Sequence, residues 1–215
     1  GYFSLPTRYA MTLGELARMF NAENKIGCEL HVIAMKDWRR RDTFEATGLT
    51  WIPPSPNLRS LDAALLYAGI EILQNGGVSV GRGTDTPFEQ FGAPWIRGTE
   101  LADYLNRRFV PGVRFVPTQF MPNSGLYKDQ KCQGAALVIT DRAALNSMLM
   151  GLEVAAALWK LYPQDFKLEK IITLLGNSAA LERLKHGDAP TVIVADWADD
   201  LEKFKALREK YLLYR

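Results

Sequence analysis

The chain has 215 residues, of which 47% are hydrophobic and 23% charged, and its formal net charge is +2. This length and composition suffice to bury a core in one large domain or two small ones, and no segment has the low hydrophobicity and high net charge of a disordered tail. A nearly balanced charge argues against nucleic acid as a partner, because nucleic-acid-binding proteins carry a basic face.

The sequence also argues against membrane, metal and cofactor chemistry. The longest apolar run, at 145–161, is interrupted by two charged residues, an asparagine and a glycine, so it predicts a buried helix and no membrane insertion. The histidines, His31 and His186, and the cysteines, Cys28 and Cys132, show no metal-ligand spacing, so neither a metal nor a cofactor is expected. Spacing alone leaves a disulfide and two separate thiols both open.

The first predicted elements are a helix and a strand. Thr12-Leu13-Gly14-Glu15 has the pattern of a capping box, and apolar residues at helical spacing follow it, which predicts a helix over 13–22. The β-rich run at 29–34 predicts a strand. A helix followed by a strand is typical of the last unit of an α/β sheet, whose earlier strands are expected before Gly1. Residues 1–6 lack a signal-peptide pattern, so the amino terminus is interpreted as cut.

A proline-rich segment follows, Trp51-Ile52-Pro53-Pro54-Ser55-Pro56-Asn57. It is predicted to be irregular, because three prolines in four residues remove hydrogen-bond donors and force extended backbone. This segment is the best candidate for a domain boundary.

Beyond this boundary the pattern predicts an α+β region and then a helical one. Ser60 and Thr99 are the candidate N-caps of the first two helices, because their hydroxyls can accept hydrogen bonds from free backbone N–H groups. The predicted elements are helices over 61–67 and 99–105, strands at 113–116 and 135–139, a long helix after Asp141, and helices over 167–175, 178–186 and 190–210.

The segment from Asn75 to Glu89 is the best candidate for a functional loop. Its four glycines let the backbone turn tightly or approach a neighbour closely, although an ordinary turn would explain them as well. The segment lacks the Gly-Lys-Ser/Thr of a phosphate loop and does not read GxGxxG. Within it, Arg82, Asp85 and Glu89 offer a guanidinium and carboxylates of the kind that hold sugar hydroxyls or perform acid–base chemistry.

Glycoside hydrolysis is the reaction class that fits this composition. It needs only a pair of carboxylates, so a chain poor in His and Cys is compatible with it, whereas the absence of a GxSxG motif disfavours a serine hydrolase. Trp38, Trp51 and Trp95 flank loops and could stack on sugar rings, although packing is the simpler explanation of each. The basic cluster at 38–41 is interpreted as a solvated loop edge and not as a polyanion site.

A series of uncommon strings runs along nearly the whole chain. The strings are Pro6-Thr7-Arg8-Tyr9-Ala10-Met11-Thr12, Trp51-Ile52-Pro53-Pro54-Ser55-Pro56-Asn57, Ser79-Val80-Gly81-Arg82-Gly83-Thr84, Pro87-Phe88-Glu89, Gly92-Ala93-Pro94-Trp95, Gly112-Val113-Arg114-Phe115, Thr140-Asp141-Arg142, Leu161-Tyr162-Pro163 and Tyr211-Leu212-Leu213-Tyr214. In order and spacing they resemble the exo-β-N-acetylmuramidase family of the NamZ type.

The resemblance implies an exported bacterial glycosidase that releases N-acetylmuramic acid from the non-reducing ends of peptidoglycan fragments, with peptidoglycan-derived sugars as its partners. It implies a mixed α/β fold with a cleft between two domains. Residues 1–57 would be the end of a Rossmann-like catalytic domain, and residues 58–215 a smaller α+β domain with a helical carboxyl-terminal region. The family's acidic residues would lie largely before Gly1, so this chain alone is expected to be inactive.

The chain departs from the family pattern at two places. Where the family typically reads Glu-Gly-Thr-Asn before Gly-Arg-Gly-Thr, this chain has Gln74-Asn75-Gly76-Gly77, and where it reads Gly-Met-Thr, this chain has Ala10-Met11-Thr12. The first exchange removes a carboxylate from the expected edge of the cleft. A non-catalytic peptidoglycan-binding or sugar-binding accessory domain is therefore the alternative function.

The expected sugar-binding residues are Arg8, Ser55, Asn57, Arg82 and Glu89, and Glu89 is also a candidate for a catalytic role. Arg82 is expected to point into the cleft and to hold the lactyl carboxylate of muramic acid through two parallel hydrogen bonds. The alternative for Arg82 is an ion pair with Asp85 or Glu89 that staples its own loop.

Overall fold

The computed structural model describes residue 3 and residues 5–214. The chain divides into two compact units, one formed by Gly1–Trp51 with Asp196–Arg215 and the other by Ile52–Ala195. We call them the terminal unit and the central unit. The first break between them follows Trp51, at the start of the irregular proline-rich segment. The division into family domains at residues 57 and 58 stays a prediction.

Helices predominate over strands in the described residues. The α-helices are α1 (Leu13–Glu23), α2 (Leu61–Ile70), α3 (Gly98–Asn106), α4 (Ser147–Leu161), α5 (Ile172–Leu175), α6 (Ser178–His186), α7 (Pro190–Ala195) and α8 (Ala198–Glu209). Short 3-10 helices cover Phe44–Thr47, Glu71–Gly76 and Leu168–Ile171. The strands are β1 (Gln90–Ala93), β2 (Val113–Phe120) and β3 (Cys132–Ile139).

In the terminal unit, the capping box that the sequence predicts at the start of α1 is confirmed. Thr12 Oγ1 accepts a hydrogen bond from Glu15 N, and Glu15 Oε2 accepts one from Thr12 N at 2.8 Å. The strand predicted at 29–34 is wrong, because the structure assigns no strand there. A β-strand is defined by hydrogen bonds to a neighbouring strand, and among the described residues none pairs with this segment.

The carboxylate of Glu15 joins three parts of the terminal unit. It is fully buried, and Oε1 accepts hydrogen bonds from Leu213 N at 2.7 Å and from the Arg40 guanidinium. Burial alone would raise the pKa of Glu15, but the backbone hydrogen bonds from Thr12 and Leu213, together with Arg40, hold it below its ordinary value. Arg40 also donates to the carbonyl of Tyr214, so this arginine is a structural residue.

The central unit contains an antiparallel sheet in the order β1-β3-β2. Gln90 lies opposite Ala136, and Val113 lies opposite Ile139. The strands predicted at 113–116 and 135–139 are confirmed and extend to eight residues each. The sequence did not predict β1, because its four residues include glutamine and glycine, which have low β-propensity.

The helix starts in the central unit were predicted with mixed success. Ser60 caps α2 as expected, since its hydroxyl accepts from Ala63 N at 2.9 Å. The cap predicted at Thr99 is wrong, because α3 already begins at Gly98 and Arg97 holds the N-cap position. The single helix predicted over 190–210 is also wrong. It is broken into α7 and α8 around Asp196, where the chain passes from the central to the terminal unit.

Two glycines allow α2 and α4 to approach each other closely. A Cβ on Gly151 would lie 2.4 Å from the carbonyl oxygen of Gly69, and a Cβ on Gly69 would lie 1.9 Å from that of Ser147. Because these neighbours are backbone atoms, larger residues would force the helices apart. This packing fixes α2, and therefore the 3-10 helix that continues from it at Glu71, against the core.

The two cysteines are separate thiols in the structure. Cys28 is exposed and Cys132 is buried on β3. Burial raises the pKa of the Cys132 thiol to about 11.

Candidate functional site

The glycine-rich segment is held to the central unit by its backbone. Ser79 and Gly92 exchange two hydrogen bonds of 2.9 Å. Gly81 and Gly83 have φ angles of +77° and +79°, a region that L side chains rarely adopt. A Cβ on Gly83 would lie 2.5 Å from the carbonyl oxygen of Ser124, so a neighbouring loop packs directly on the backbone here. The glycines therefore serve both tight turns and close approach.

Arg82 is hydrogen-bonded to the 3-10 helix that precedes its loop. Its Nε donates to Gln74 Oε1 at 2.8 Å, and its Nη2 donates to Glu71 Oε1 at 2.7 Å. The guanidinium lies over the ring of Phe88, with 4.9 Å from Cζ to the ring centroid. The side chain stays 36% exposed. One edge of the guanidinium is therefore held, while the side chain keeps contact with solvent.

These contacts correct one expectation about Arg82. The ion pair of Arg82 with Asp85 or Glu89, considered as the alternative, is wrong, because Arg82 pairs with Glu71 in the preceding 3-10 helix. The expected orientation of Arg82 toward an interdomain cleft and the contact with a sugar stay predictions.

Glu89 connects the loop to α2 and to the sheet. Its Oε1 accepts a hydrogen bond from the hydroxyl of Ser60, the residue that caps α2. Its backbone carbonyl accepts from Leu137 N at 2.8 Å, which ties it to β3. Glu89 was predicted to have a catalytic or sugar-binding role. In the structure its half-buried carboxylate is hydrogen-bonded to Ser60.

Ser55 and Asn57 lie at the edge of the central unit, in the irregular segment before α2. Both are half-buried, and neither side chain makes a hydrogen bond to another described residue. The segment turns because the Ser55 carbonyl accepts from Leu58 N at 2.9 Å. Arg59 lies 3.6 Å from the exposed carboxylate of Asp85, which brings this segment near the glycine-rich loop.

Arg8 lies in the terminal unit and is exposed, whereas the other four expected sugar-binding residues lie in the central unit. The structure brings Arg82 and Glu89 into one loop and places Ser55 and Asn57 before the helix that Glu89 contacts.

The tryptophans considered for sugar stacking all make aromatic contacts within their own unit. These contacts are Trp38 with Tyr214 at 4.8 Å, Trp51 with Phe44 at 5.2 Å, and Trp95 with Tyr162 at 5.4 Å between ring centroids. Trp95 also donates to the hydroxyl of Tyr127 at 3.1 Å. The aromatic contacts support packing as the role of the three tryptophans.

In the basic cluster, Arg39 and Arg41 are exposed, as expected of a solvated loop edge. Arg40 departs from that expectation, because it is half-buried and paired with the buried carboxylate of Glu15.

The sequence did not single out three residues of the site. Glu71 gave no motif signal, although its spacing of three from Gln74 would place both on one face of a 3-10 helix. Phe88 is fully buried with φ at +66°, a strained conformation in a non-glycine residue. Tyr127, from a distant loop, donates to the carbonyl of Gly77 at 2.9 Å, and no local pattern predicts that contact.

A separate cavity of about 570 Å³ lies elsewhere in the central unit. Its lining includes Tyr104, Lys160 and the ion pair between Arg108 and Glu153, and none of the five expected sugar-binding residues. Arg108 donates to both carboxylate oxygens of Glu153, at 2.9 and 3.2 Å, and this pairing raises the pKa of Arg108.

Two further features concern ligands and membranes. Among the described residues, no group of three or more histidine, cysteine, aspartate or glutamate side chains is placed to hold a metal ion. In residue 3 and residues 5–214, every helix is too short or too polar to cross a membrane.

Comparison with known families defines the class of protein. Residues 65–214 match the family described as "Exo-beta-N-acetylmuramidase NamZ, C-terminal", and residues 1–62 match "Exo-beta-N-acetylmuramidase NamZ, N-terminal". The chain belongs to the NamZ family of exo-β-N-acetylmuramidases.

Similar proteins are known from sequence and from crystal structures. The protein named "Peptidoglycan beta-N-acetylmuramidase NamZ" from Bacillus subtilis (strain 168) is 35% identical over 217 residues, which cover 100% of this chain and 52% of that protein. A DUF1343 family protein from Bacteroides fragilis NCTC 9343 matches with a TM-score of 0.89 and 32% identity, over 99% of this chain and 58% of the other. A second one from the same strain gives a TM-score of 0.74 and 28% identity, over 95% and 56%. The chain spans about half the length of these relatives.

Proposed function

We propose that this chain is part of a glycoside hydrolase that releases N-acetylmuramic acid from the non-reducing ends of peptidoglycan fragments. Membership of the NamZ family and the name of the Bacillus subtilis relative support this activity. In the proposal, the glycine-rich loop of the central unit binds the terminal sugar, and Arg82 binds its lactyl carboxylate.

The geometry of Arg82 is the observation that carries the binding role. Glu71 and Gln74 occupy Nη2 and Nε, while Nη1 makes no hydrogen bond to any described residue. A carboxylate can therefore approach Nη1 and the remaining hydrogen of Nη2, the two-hydrogen-bond geometry that a guanidinium offers. Phe88 beneath the guanidinium limits its rotation, so less conformational entropy is lost when the ligand binds.

The wider layout belongs to the same proposal. Residues 1–57 would be the end of a Rossmann-like catalytic domain and residues 58–215 the second domain. Ser55, Asn57 and Glu89 would contribute to the sugar site of the central unit, and Arg8 stays a predicted sugar-binding residue of the terminal unit. Hydrolysis of a glycosidic bond by a pair of carboxyl groups requires no cofactor, and an enzyme acting on peptidoglycan would be exported to the periplasm or the cell exterior.

The experiment uses the full-length protein and a pair of sugars that differ in the lactyl group. Isothermal titration with N-acetylmuramic acid and with N-acetylglucosamine should show tighter binding of the first, because only it carries the carboxylate. Arg82→Lys keeps a positive charge beside Glu71 but loses the paired hydrogen bonds, so it should reduce this preference about tenfold. Arg97→Lys, in an exposed pair with Glu100, is the matched control. Equal affinity for both sugars in the unaltered protein would exclude the carboxylate role.

Release of the sugar is the second part of this experiment. A muramic-acid-terminated disaccharide incubated with the full-length protein should yield free N-acetylmuramic acid. A folded protein that releases none would contradict the glycosidase assignment.

A non-catalytic sugar-binding module is the second candidate, and two observations favour it. Glu89 is hydrogen-bonded to Ser60, and position 74 carries an amide where the family pattern has a carboxylate. Such a module would sediment with purified cell-wall sacculi without releasing sugar, whereas sugar release would rule it out.

A further inference from the structure

We propose that Glu71 is the positioning residue of Arg82, and that positions 71 and 74 are interchangeable as the source of the carboxylate that orients this guanidinium. The inference rests on the proposed sugar-binding role of Arg82 and assigns the residue that makes the role possible.

The 3-10 helix Glu71–Gly76 places the side chains of Glu71 and Gln74 on one face. A 3-10 helix has three residues per turn, so side chains three apart stand on the same face. Glu71 and Gln74 are three apart, and both accept hydrogen bonds from Arg82, at 2.7 and 2.8 Å. A carboxylate at either position can therefore reach the same guanidinium.

The two acceptors of Arg82, Gln74 and Glu71, differ in charge. Both bonds fix the plane of the guanidinium and both have a charged donor, but only Glu71 adds a negative charge, so its bond is also an ion pair. One carboxylate beside one guanidinium leaves the pair neutral.

The carboxylate of Glu71 is largely buried. Its side chain is only 14% exposed, and Oε2 is buried without a hydrogen-bond partner among the described residues. An unsatisfied buried carboxylate oxygen disfavours the folded state. The buried charge of Glu71 therefore carries a cost, and the Arg82 guanidinium, whose side chain is 36% exposed, is the group that this charge orients.

The test exchanges the two acceptors in the full-length protein. Glu71→Gln should raise KM for the muramic-acid-terminated disaccharide about tenfold with little change in kcat, and should leave Tm within about 3 °C. The double variant Glu71→Gln/Gln74→Glu returns the carboxylate from the other position and should bring KM back to within about threefold of the unaltered protein. Glu100→Gln, which removes the exposed partner of Arg97, is the control for loss of an arginine–glutamate pair.

A direct readout separates this inference from the proposed function. The Arg82 Nε–H resonance, assigned by its loss in Arg82→Lys, should exchange with solvent faster in Glu71→Gln and recover in the double variant, with no sugar present. If the unaltered protein neither binds nor cleaves the disaccharide but this recovery is seen, the proposed function fails and the positioning role stands. The positioning role is overturned if the double variant restores neither the slow exchange of the Arg82 Nε–H nor the KM of the unaltered protein. It is also overturned if Glu71→Gln changes Tm alone.

Discussion

Replacement of Glu15 by glutamine should destabilise the terminal unit by about 2–3 kcal/mol. Removing one partner of a buried ion pair costs about 3–5 kcal/mol, because the remaining charge is left buried and unpaired. Two features reduce this figure. Glutamine keeps one acceptor oxygen, which can serve the backbone N–H of either Thr12 or Leu213 but not both, because the two bind different carboxylate oxygens. Arg40 retains hydrogen bonds to the carbonyls of Ala10 and Tyr214.

The effect of Glu15→Gln should depend on pH in a defined direction. The pKa of Glu15 is lowered in the folded state, so its carboxylate contributes stability that is present above the unfolded-state pKa of about 4.3 and is lost as pH falls through the lower folded-state pKa. The difference between the two proteins should therefore be constant near pH 7 and should shrink below about pH 4.

Urea unfolding at several pH values measures this difference, and hydrogen exchange of peptides from α1 and from residues 208–214 localises it to the terminal unit. Glu29→Gln is the matched control, because Glu29 belongs to the same unit and its side chain is 87% exposed. A Glu15→Gln effect below about 0.5 kcal/mol, equal to that of the control, would refute the assignment of Glu15 as a buried junction. A difference in unfolding free energy between Glu15→Gln and the unaltered protein that persists unchanged to pH 3 would also refute this assignment.

Two other predictions follow from close packing and from burial. Gly151→Ala should lower the stability of the central unit by at least about 2 kcal/mol in thermal unfolding, because its Cβ would meet the backbone of Gly69. Gly187→Ala, which meets no atom within 4 Å but has φ at +83°, should cost only about 1 kcal/mol, and equal losses would contradict the packing explanation. A thiol reagent at pH 8 should modify Cys28 within minutes and leave Cys132 intact, since burial raises the pKa of Cys132 to about 11. Rapid modification of both thiols in folded protein would disprove the burial.

Elements with local signals were predictable from the sequence. The caps at Thr12 and Ser60 act within three residues, so the starts of α1 and α2 follow from the sequence alone. The run at 29–34 has the composition of a strand, but a strand also needs a partner, and that requirement is not local. The break between α7 and α8 has the same origin, because it depends on where two compact units divide.

The candidate site was predictable to the level of the loop and not of its contacts. Glycine spacing and charge singled out Arg82 and its loop as candidates, because both are visible in one segment, and their role in binding stays a prediction. Its partner Glu71 was missed, since only the 3-10 geometry of residues 71–76 places that carboxylate beside the guanidinium. Phe88 was missed for a related reason, because a positive φ in a buried aromatic residue depends on the packing around it.

The contacts of the loop favour a binding role over acid–base chemistry for its own carboxylates. A glycosidase needs one carboxyl group to donate a proton and another to stay ionised beside the sugar. Within the loop, Glu89 accepts a hydrogen bond from the hydroxyl of Ser60, and the exposed carboxylate of Asp85 lies 3.6 Å from Arg59. Glu71, in the 3-10 helix before the loop, accepts a hydrogen bond from Arg82. Arg82, in contrast, has a free edge that suits a carboxylate ligand. We therefore expect this loop to select and orient the sugar, and the acid–base pair of the reaction to come from residues outside the loop.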